Sequence, residues 1–145
     1  MLVTSWNPLT IWVYDEYYVR FGVEDYQMTD LGNLYSHLTN NSIAKHSEKF
    51  HKSEFEGCMW SQEDFRNHVD SIYGEGSEKE KVSEGIKNVV KWTLEAVQDS
   101  IENRKNSVEL FGFDFMVDEQ LNVWLLEVNS SPAMDYSTVS QMLET

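Results

Sequence analysis

The chain opens on short apolar, strand-forming runs separated by turn residues. Leu2-Val3-Thr4-Ser5-Trp6 is β-branched and aromatic, and Asn7-Pro8 punctuates it. Residues 10–14 read as a second strand. After the acidic turn Asp15-Glu16, residues 17–22 read as a third. The first strand has no polar lead-in, so a partner strand is expected upstream of it. Residues 24–60 lose periodicity and carry turn chemistry. Loops of that length inside a compact domain are usually functional or unstructured. Within them, residues 45–57 (KHSEKFHKSEFEG) are expected to be a mobile charged insertion. Ser61 reads as an N-cap with Asp64 three positions on, opening a short helix with Phe65, Val69 and Ile72 on one side. The strongest helical pattern spans residues 77–103, where Val82, Ile86, Val89, Val90, Thr93, Val97 and Ile101 recur at steps of three and four. Residues 109–129 predict a β-hairpin turning over Asp118–Leu121, ended by Ser130-Ser131-Pro132. A terminal helix or turn is expected over residues 134–143. The pattern specifies an α/β (α+β) domain, mainly antiparallel sheet packed against one long helix.

Composition narrows the function classes. A chain of 145 residues with 41% hydrophobic and 13% aromatic content is long enough for one folded domain and too apolar for disorder. Against 11 Lys+Arg stand 25 Asp+Glu, a net charge of −14. Displacing counterions from nucleic-acid phosphates needs the opposite balance, and an anionic membrane surface is disfavoured for the same reason. No apolar run approaches the roughly 20 residues that span a bilayer. No basic segment followed by an apolar one opens the chain, so an intracellular protein is expected. The single cysteine, Cys58, leaves no internal disulfide and no Cys-based zinc site. It reads as a small apolar residue, and His37 as a packing or hydrogen-bonding histidine.

Three polar residues interrupt the apolar hairpin: Asp114, Glu127 and Asn129. With a four-residue loop, Val117 pairs with Asn122, Asp114 lies opposite Leu125, and Gly112 lies opposite Glu127. All three polar side chains then project to one side, with Asp114 diagonal to Glu127. A loop one residue longer or shorter reverses the parity and separates the carboxylates. Two carboxylates and an amide carbonyl form an all-oxygen set suited to magnesium, which keeps several waters and is completed by substrate phosphates. Exposed, solvated carboxylates are the competing reading, and two-carboxylate acid/base chemistry a weaker one. Arg20 lies in an aromatic strand (YYVRF) and offers a planar fork to phosphate oxygens; pairing with Glu24 or Asp25 is the alternative. Thr39, Asn40 and Asn41 offer hydroxyl and amide groups for a ligand, or simply form a turn.

Three stretches, WNPLTIWVYDEYYVRFG (6–22), HLTNNSIAKH (37–46) and ELFGFDFMVDEQLNVWLLEVNSSPAM (109–134), resemble the tubulin-tyrosine-ligase-like family, which has an ATP-grasp fold. With MWSQEDF (59–65), the likeness is greatest to the branch that attaches glycine to tubulin tails. The resemblance covers nearly the whole of residues 1–145 and corresponds to the C-terminal half of the catalytic core. It implies that Asp114, Glu127 and Asn129 bind magnesium, and that Arg20 contacts the γ-phosphate region of ATP. It places Thr39 and Asn40 along the nucleotide and acceptor site, with Arg20 and Glu127 as catalytic residues. The implied reaction activates a tubulin glutamate carboxylate as an acyl phosphate, which glycine's amine then opens to an isopeptide. Tyrosine or glutamate ligation, and a non-catalytic binding module that keeps the fold, are the alternatives. The implied partners are tubulin tails on microtubules and glycine, in the cytoplasm and cytoskeleton, cilium or axoneme included. An upstream F-D-x-R motif, glycine-rich cover and phosphate lysine belong to the family pattern and do not occur in these residues. Chain 1–145 alone is therefore expected to show little activity.

Overall fold

The computed structural model describes residues 1–47 and 58–132. The charged insertion, from residue 48 on, and the terminal helix or turn over 134–143 lie outside the described residues. The described residues divide into two compact units, one made of Met1–Asp15 and residues 66–132, the other of Glu16–Phe65.

In the first unit, β1 (Leu2–Trp6) pairs antiparallel with β2 (Leu9–Trp12) and with β5 (Glu109–Leu110). The β1–β2 register slips between Val3 and Ser5. Because side chains alternate, residues three apart would normally face opposite sides. The extra residue, Thr4, brings Val3 and Trp6 to the same side, and both are buried. The hairpin of β6 (Gly112–Val117) and β7 (Val123–Asn129) forms a separate two-stranded sheet. All the strand pairing among the described residues is antiparallel, as the sequence pattern predicts.

The long helix is a composite of 23 residues. A π-helical segment, Glu78–Ser83, runs into α4 (Glu84–Val97; α1–α3 lie earlier in the chain) and closes in a 3-10 turn, Gln98–Ser100. Val82, Val90 and Leu94 are buried. Val90 and Leu94 form the core with Val3 and Trp6, against which Ile86, Phe111, Phe113 and Phe115 pack. Val97, assigned by spacing to the same stripe, is 41% exposed; Leu94 occupies the inward position because the stripe follows steps of four (82, 86, 90, 94). At Gly85 the helix meets β7 so closely that a Cβ would lie 2.9 Å from Val123 Cγ2.

Glu78, inside the π-helical segment, is fully buried. Its carboxylate accepts from Arg66 Nε at 3.1 Å and from Ser83 Oγ at 2.7 Å. Asp70 accepts from the backbone N–H groups of Glu78 and Gly76, 2.9 and 3.1 Å away, across a turn where Gly74 and Gly76 take φ of 104° and 86°. These donors hold the Asp70 carboxyl below its ordinary pKa.

In the second unit, β3 (Tyr18–Arg20) pairs with β4 (Met59–Ser61). Among the described residues of the segment whose sequence shows only turn chemistry stand two single-turn helices, α1 (Leu34–His37) and α2 (Asn41–Ala44). Asn33 caps α1 through its side chain, which accepts from Tyr35 N at 3.1 Å. Four residues are too few to show an apolar period, so such turns are legible only by their caps. His37 hydrogen-bonds the Asp30 carbonyl at 2.9 Å and meets the Tyr26 ring edge-on, and Cys58 is buried, both as expected. Helix α3 (Gln62–Tyr73) opens on the Ser61 cap. Asp64 N donates to Ser61 Oγ at 3.2 Å, and Ser61 Oγ donates to Asp64 Oδ2 at 2.6 Å. The boundary between the units falls within α3, after Phe65. Val69 is buried on this helix, whereas Ile72, expected beside it, is 60% exposed.

Candidate functional site

The hairpin departs from the expected register in two ways. Val117 pairs with Val123 rather than Asn122, so the connection is 118–122, one residue longer than predicted. Asp118 N donates to Asn122 O, Leu121 N donates to Asp118 O, and Leu121 takes φ of 64° while its side chain is buried. This is a turn closed by a left-handed residue, a common three-residue hairpin ending. By itself the longer loop reverses the parity and sends Glu127 to the side of Val123 and Leu125.

A second irregularity corrects it. Phe115 pairs with Leu125 and Asp114 with Glu127, leaving Leu126 as an extra residue on β7. A bulge re-aims the side chains beyond it. Trp124 faces the side of Asp114 and Met116, Leu125 faces the core side, and after Leu126 the residues Glu127 and Asn129 return to the side of Asp114. The predicted convergence therefore holds, with a corrected register. Asp114 lies directly opposite Glu127 rather than diagonal to it, and Gly112 lies opposite Asn129 rather than Glu127. The apolar side carries Phe113 and Phe115, whose rings stack with centroids 6.0 Å apart.

Two carboxylates directly opposed on an antiparallel pair repel each other. Asn129 relieves this: its Nδ2 donates to Glu127 Oε1 at 3.0 Å and to Asp114 Oδ2 at 3.4 Å. Both acidic oxygens thus converge on one nitrogen bearing partial positive charge, on a face exposed to solvent. Among the described residues no three His, Cys, Asp or Glu side chains form a metal-holding group, so the hairpin offers two carboxylates and an amide. That hard, incomplete oxygen set fits a magnesium ion that retains water and takes phosphate oxygens, and does not fit a closed all-protein cage.

Below the pair, the turn is fixed by Asp118. Its carboxylate accepts from Trp124 Nε1 (2.9 Å), Asn122 Nδ2 (2.9 Å), Asn122 N (2.8 Å) and Gln120 N (3.0 Å). The indole and amide donors lower its pKa from 3.8 to about 2. Sequence reading did not single out Asp118 or Leu126. Two consecutive leucines where β7 should alternate are the available signal for the bulge, and an Asp four residues before an Asn at a hairpin end is the signal for the turn.

Arg20, Thr39 and Asn40 belong to the second unit. Arg20 is exposed on β3, donates to Tyr18 Oη at 3.2 Å, and sits 5.1 Å from the centroid of that ring. Thr39 and Asn40 are exposed at the start of α2, where the Asn40 carbonyl accepts from Ile43 N and Ala44 N, both at 2.9 Å. The three residues of the hairpin are thus brought together within one element, while Arg20 stands on β3 and Thr39 and Asn40 just before α2.

Comparison with known proteins bears on the same residues. The chain is 46% identical over 140 residues to tubulin glycylase 3C of Tetrahymena thermophila, covering 95% of this chain and 13% of that protein. It is 44% identical over 140 residues to tubulin monoglycylase TTLL3 of Danio rerio, covering 94% of the chain and 18% of that relative. A probable alpha-tubulin polyglutamylase, Ttll1 of Tetrahymena thermophila, is 36% identical over 135 residues, 92% of this chain and 32% of its own length. The chain therefore spans a third or less of each of these relatives. The profile of the tubulin-tyrosine ligase family matches residues 1–143, and on that match, which takes in both the hairpin and the second unit, the chain belongs to the tubulin-tyrosine ligase family.

Proposed function

We propose that this chain is part of an ATP- and magnesium-dependent ligase that joins glycine to glutamate side chains of tubulin tails through an acyl phosphate. The observation that carries the reading is the bulge at Leu126, which turns Glu127 and Asn129 onto the face of Asp114 despite the like-charge cost of opposing two carboxylates. A strand pair that breaks its own packing rule does so with a compensating use. In this reading Asp114 and Glu127 hold magnesium, and Asn129 adds its amide oxygen once the side-chain amide turns over from the orientation in which Nδ2 faces the pair. A bound magnesium would neutralise phosphate charge as the phosphoryl group moves. Arg20, already fixed by Tyr18, supplies a planar donor fork for phosphate oxygens, and Thr39 and Asn40 line the nucleotide and acceptor site. Glycine as the amino acid is favoured by the names of the two relatives at 46% and 44% identity; with action on tubulin goes a cytoskeletal location, cilia included, as part of the same proposal. Glutamate is the second reading, favoured by the polyglutamylase relative at 36%.

The test uses the full-length protein that contains this chain, offered tubulin, ATP, magnesium and labelled glycine, glutamate or tyrosine in turn. Glycine incorporation is expected, with Asp114→Asn and Glu127→Gln each lowering it by about 100-fold or more. Incorporation of glutamate or tyrosine alone overturns the glycine assignment. Absence of magnesium-dependent nucleotide binding overturns the ligase reading in favour of a non-catalytic module.

A further inference from the structure

Val123 and Leu125 of β7 face the core, whereas Glu127 and Asn129 face the opposite side. The first half of the strand is therefore gripped from behind, and the second half carries the candidate ligands across the bulge. The tightest point of that grip is Gly85, near the start of α4, where a side-chain carbon would lie 2.9 Å from Val123 Cγ2 and 3.4 Å from Val123 Cβ. Real Cβ atoms essentially never approach another atom as closely as 2.9 Å. A methyl group at Gly85 must therefore displace the Val123 side chain, and the 3.4 Å approach to Val123 Cβ carries that pressure toward the β7 backbone.

The helix is the less yielding partner. Directly before α4, the π-helical segment is tied to α3 by the buried Glu78 carboxylate, bonded to Arg66 and Ser83. The hairpin turn is tied to the same α3 by Tyr73, whose hydroxyl donates to the Glu119 carbonyl at 2.9 Å. Helix propensity also argues for a packing role, because an interior glycine costs about 1 kcal/mol relative to alanine. At this position that cost brings the close approach to Val123.

We propose that Gly85 is a positioning residue for the acidic pair: it seats Val123 against α4 and thereby fixes the height at which Glu127 and Asn129 meet Asp114 beyond the bulge. This rests on the reading of that pair as a magnesium site. Gly85 touches no ligand and acts only through β7.

The experiment measures Mn2+ binding by electron paramagnetic resonance in the full-length protein, alongside thermal melting. Gly85→Ala is expected to weaken Mn2+ binding about 10-fold, the range found when groups supporting metal ligands are altered. Val123→Ala removes the clashing methyl groups and leaves only the 3.4 Å contact with Cβ. In the double variant Gly85→Ala/Val123→Ala, binding is therefore expected to return to within about 3-fold of the parent. A merely structural glycine would lower the melting temperature without moving Mn2+ affinity, or would move both without rescue, and either result overturns the proposal. Should Gly85→Ala fail to fold, Val123→Ile presses the same contact from the other side and is expected to weaken Mn2+ binding likewise; unchanged affinity overturns the proposal. Asp114→Asn and Glu127→Gln separate the two ideas. If they weaken Mn2+ binding and Gly85→Ala does not, only the positioning role falls. If they leave binding unchanged, the magnesium reading falls and takes the positioning role with it.

Discussion

Glu78 is the fully buried carboxylate of the first unit, and its removal has a calculable cost. The side chain is bonded to Arg66 at 3.1 Å and to Ser83 at 2.7 Å, and the Arg66 side chain is 46% exposed. Hydrogen bonds to a charged group contribute about 1.5–3 kcal/mol each. Glu78→Ala loses both bonds and leaves a void, while Arg66 rehydrates, so a loss of about 3–5 kcal/mol is expected. Glu78→Gln keeps the volume and the Ser83 contact but loses the ionic bond, for about 1.5–3 kcal/mol. Arg66→Ala takes the cationic donor from a buried carboxylate that keeps its Ser83 bond, and costs about 3 kcal/mol. Once Glu78 is gone, Arg66 has less to lose, so the double variant should fall short of the sum by about 2 kcal/mol. Guanidinium unfolding of the four proteins measures each value. Strict additivity, or a loss under about 1 kcal/mol for Glu78→Ala, would show that the buried carboxylate does not hold α3 to the π-helical segment.

Three further outcomes follow from the same geometry. Asp118 is ionised down to a pKa of about 2, from 3.8; its contribution to hairpin stability is complete above pH 4 and is lost as pH falls toward 2. Trp124 fluorescence, reporting the indole bound to that carboxylate, should titrate with a midpoint near 2, and a midpoint near 4 contradicts the network. Gly112→Ala places a methyl group 3.2 Å from Pro132 Cβ and 3.7 Å from Asn129 Cβ. It should weaken magnesium-dependent nucleotide binding by about 10-fold while Ala substituted at exposed Gln120 leaves it unchanged; isothermal calorimetry decides. Ser61→Ala removes the α3 cap and should cost about 1 kcal/mol in denaturant unfolding, with Ser61→Thr, which keeps the hydroxyl that both accepts from Asp64 N and donates to its carboxylate, retaining most of the stability.

The long helix and the hairpin are legible because both are long enough to display a period: steps of four through Val82, Ile86 and Val90, and alternation through Phe111, Phe113 and Phe115. The Ser61 cap was legible because its chemistry is local. The helices over Leu34–His37 and Asn41–Ala44 were not, since one turn has no period to read. In the sequence Glu78 is indistinguishable from the other acidic residues near the helix start, because its burial depends on Arg66, which lies 12 residues away.

The acidic pair shows a different limit. A four-residue loop predicts its convergence, whereas the connection spans 118–122, one residue more. Parity has period two, so one error in the loop and one unanticipated bulge cancel, leaving Asp114, Glu127 and Asn129 on one face by a path the sequence argument did not contain. The cancellation has a physical content. Leu121 in a left-handed conformation lengthens the turn, and Asp118 collects four donors to hold it. Without Leu126 set aside, that longer turn would direct Glu127 toward Phe115 and the core, where an ionised carboxylate is costly. The turn and the bulge are thus coupled: given a loop spanning 118–122, a chain with an acidic residue at 127 folds well only if β7 bulges before it. The same condition that keeps Glu127 out of the core aligns it with Asp114. Folding and the candidate chemistry therefore select one register.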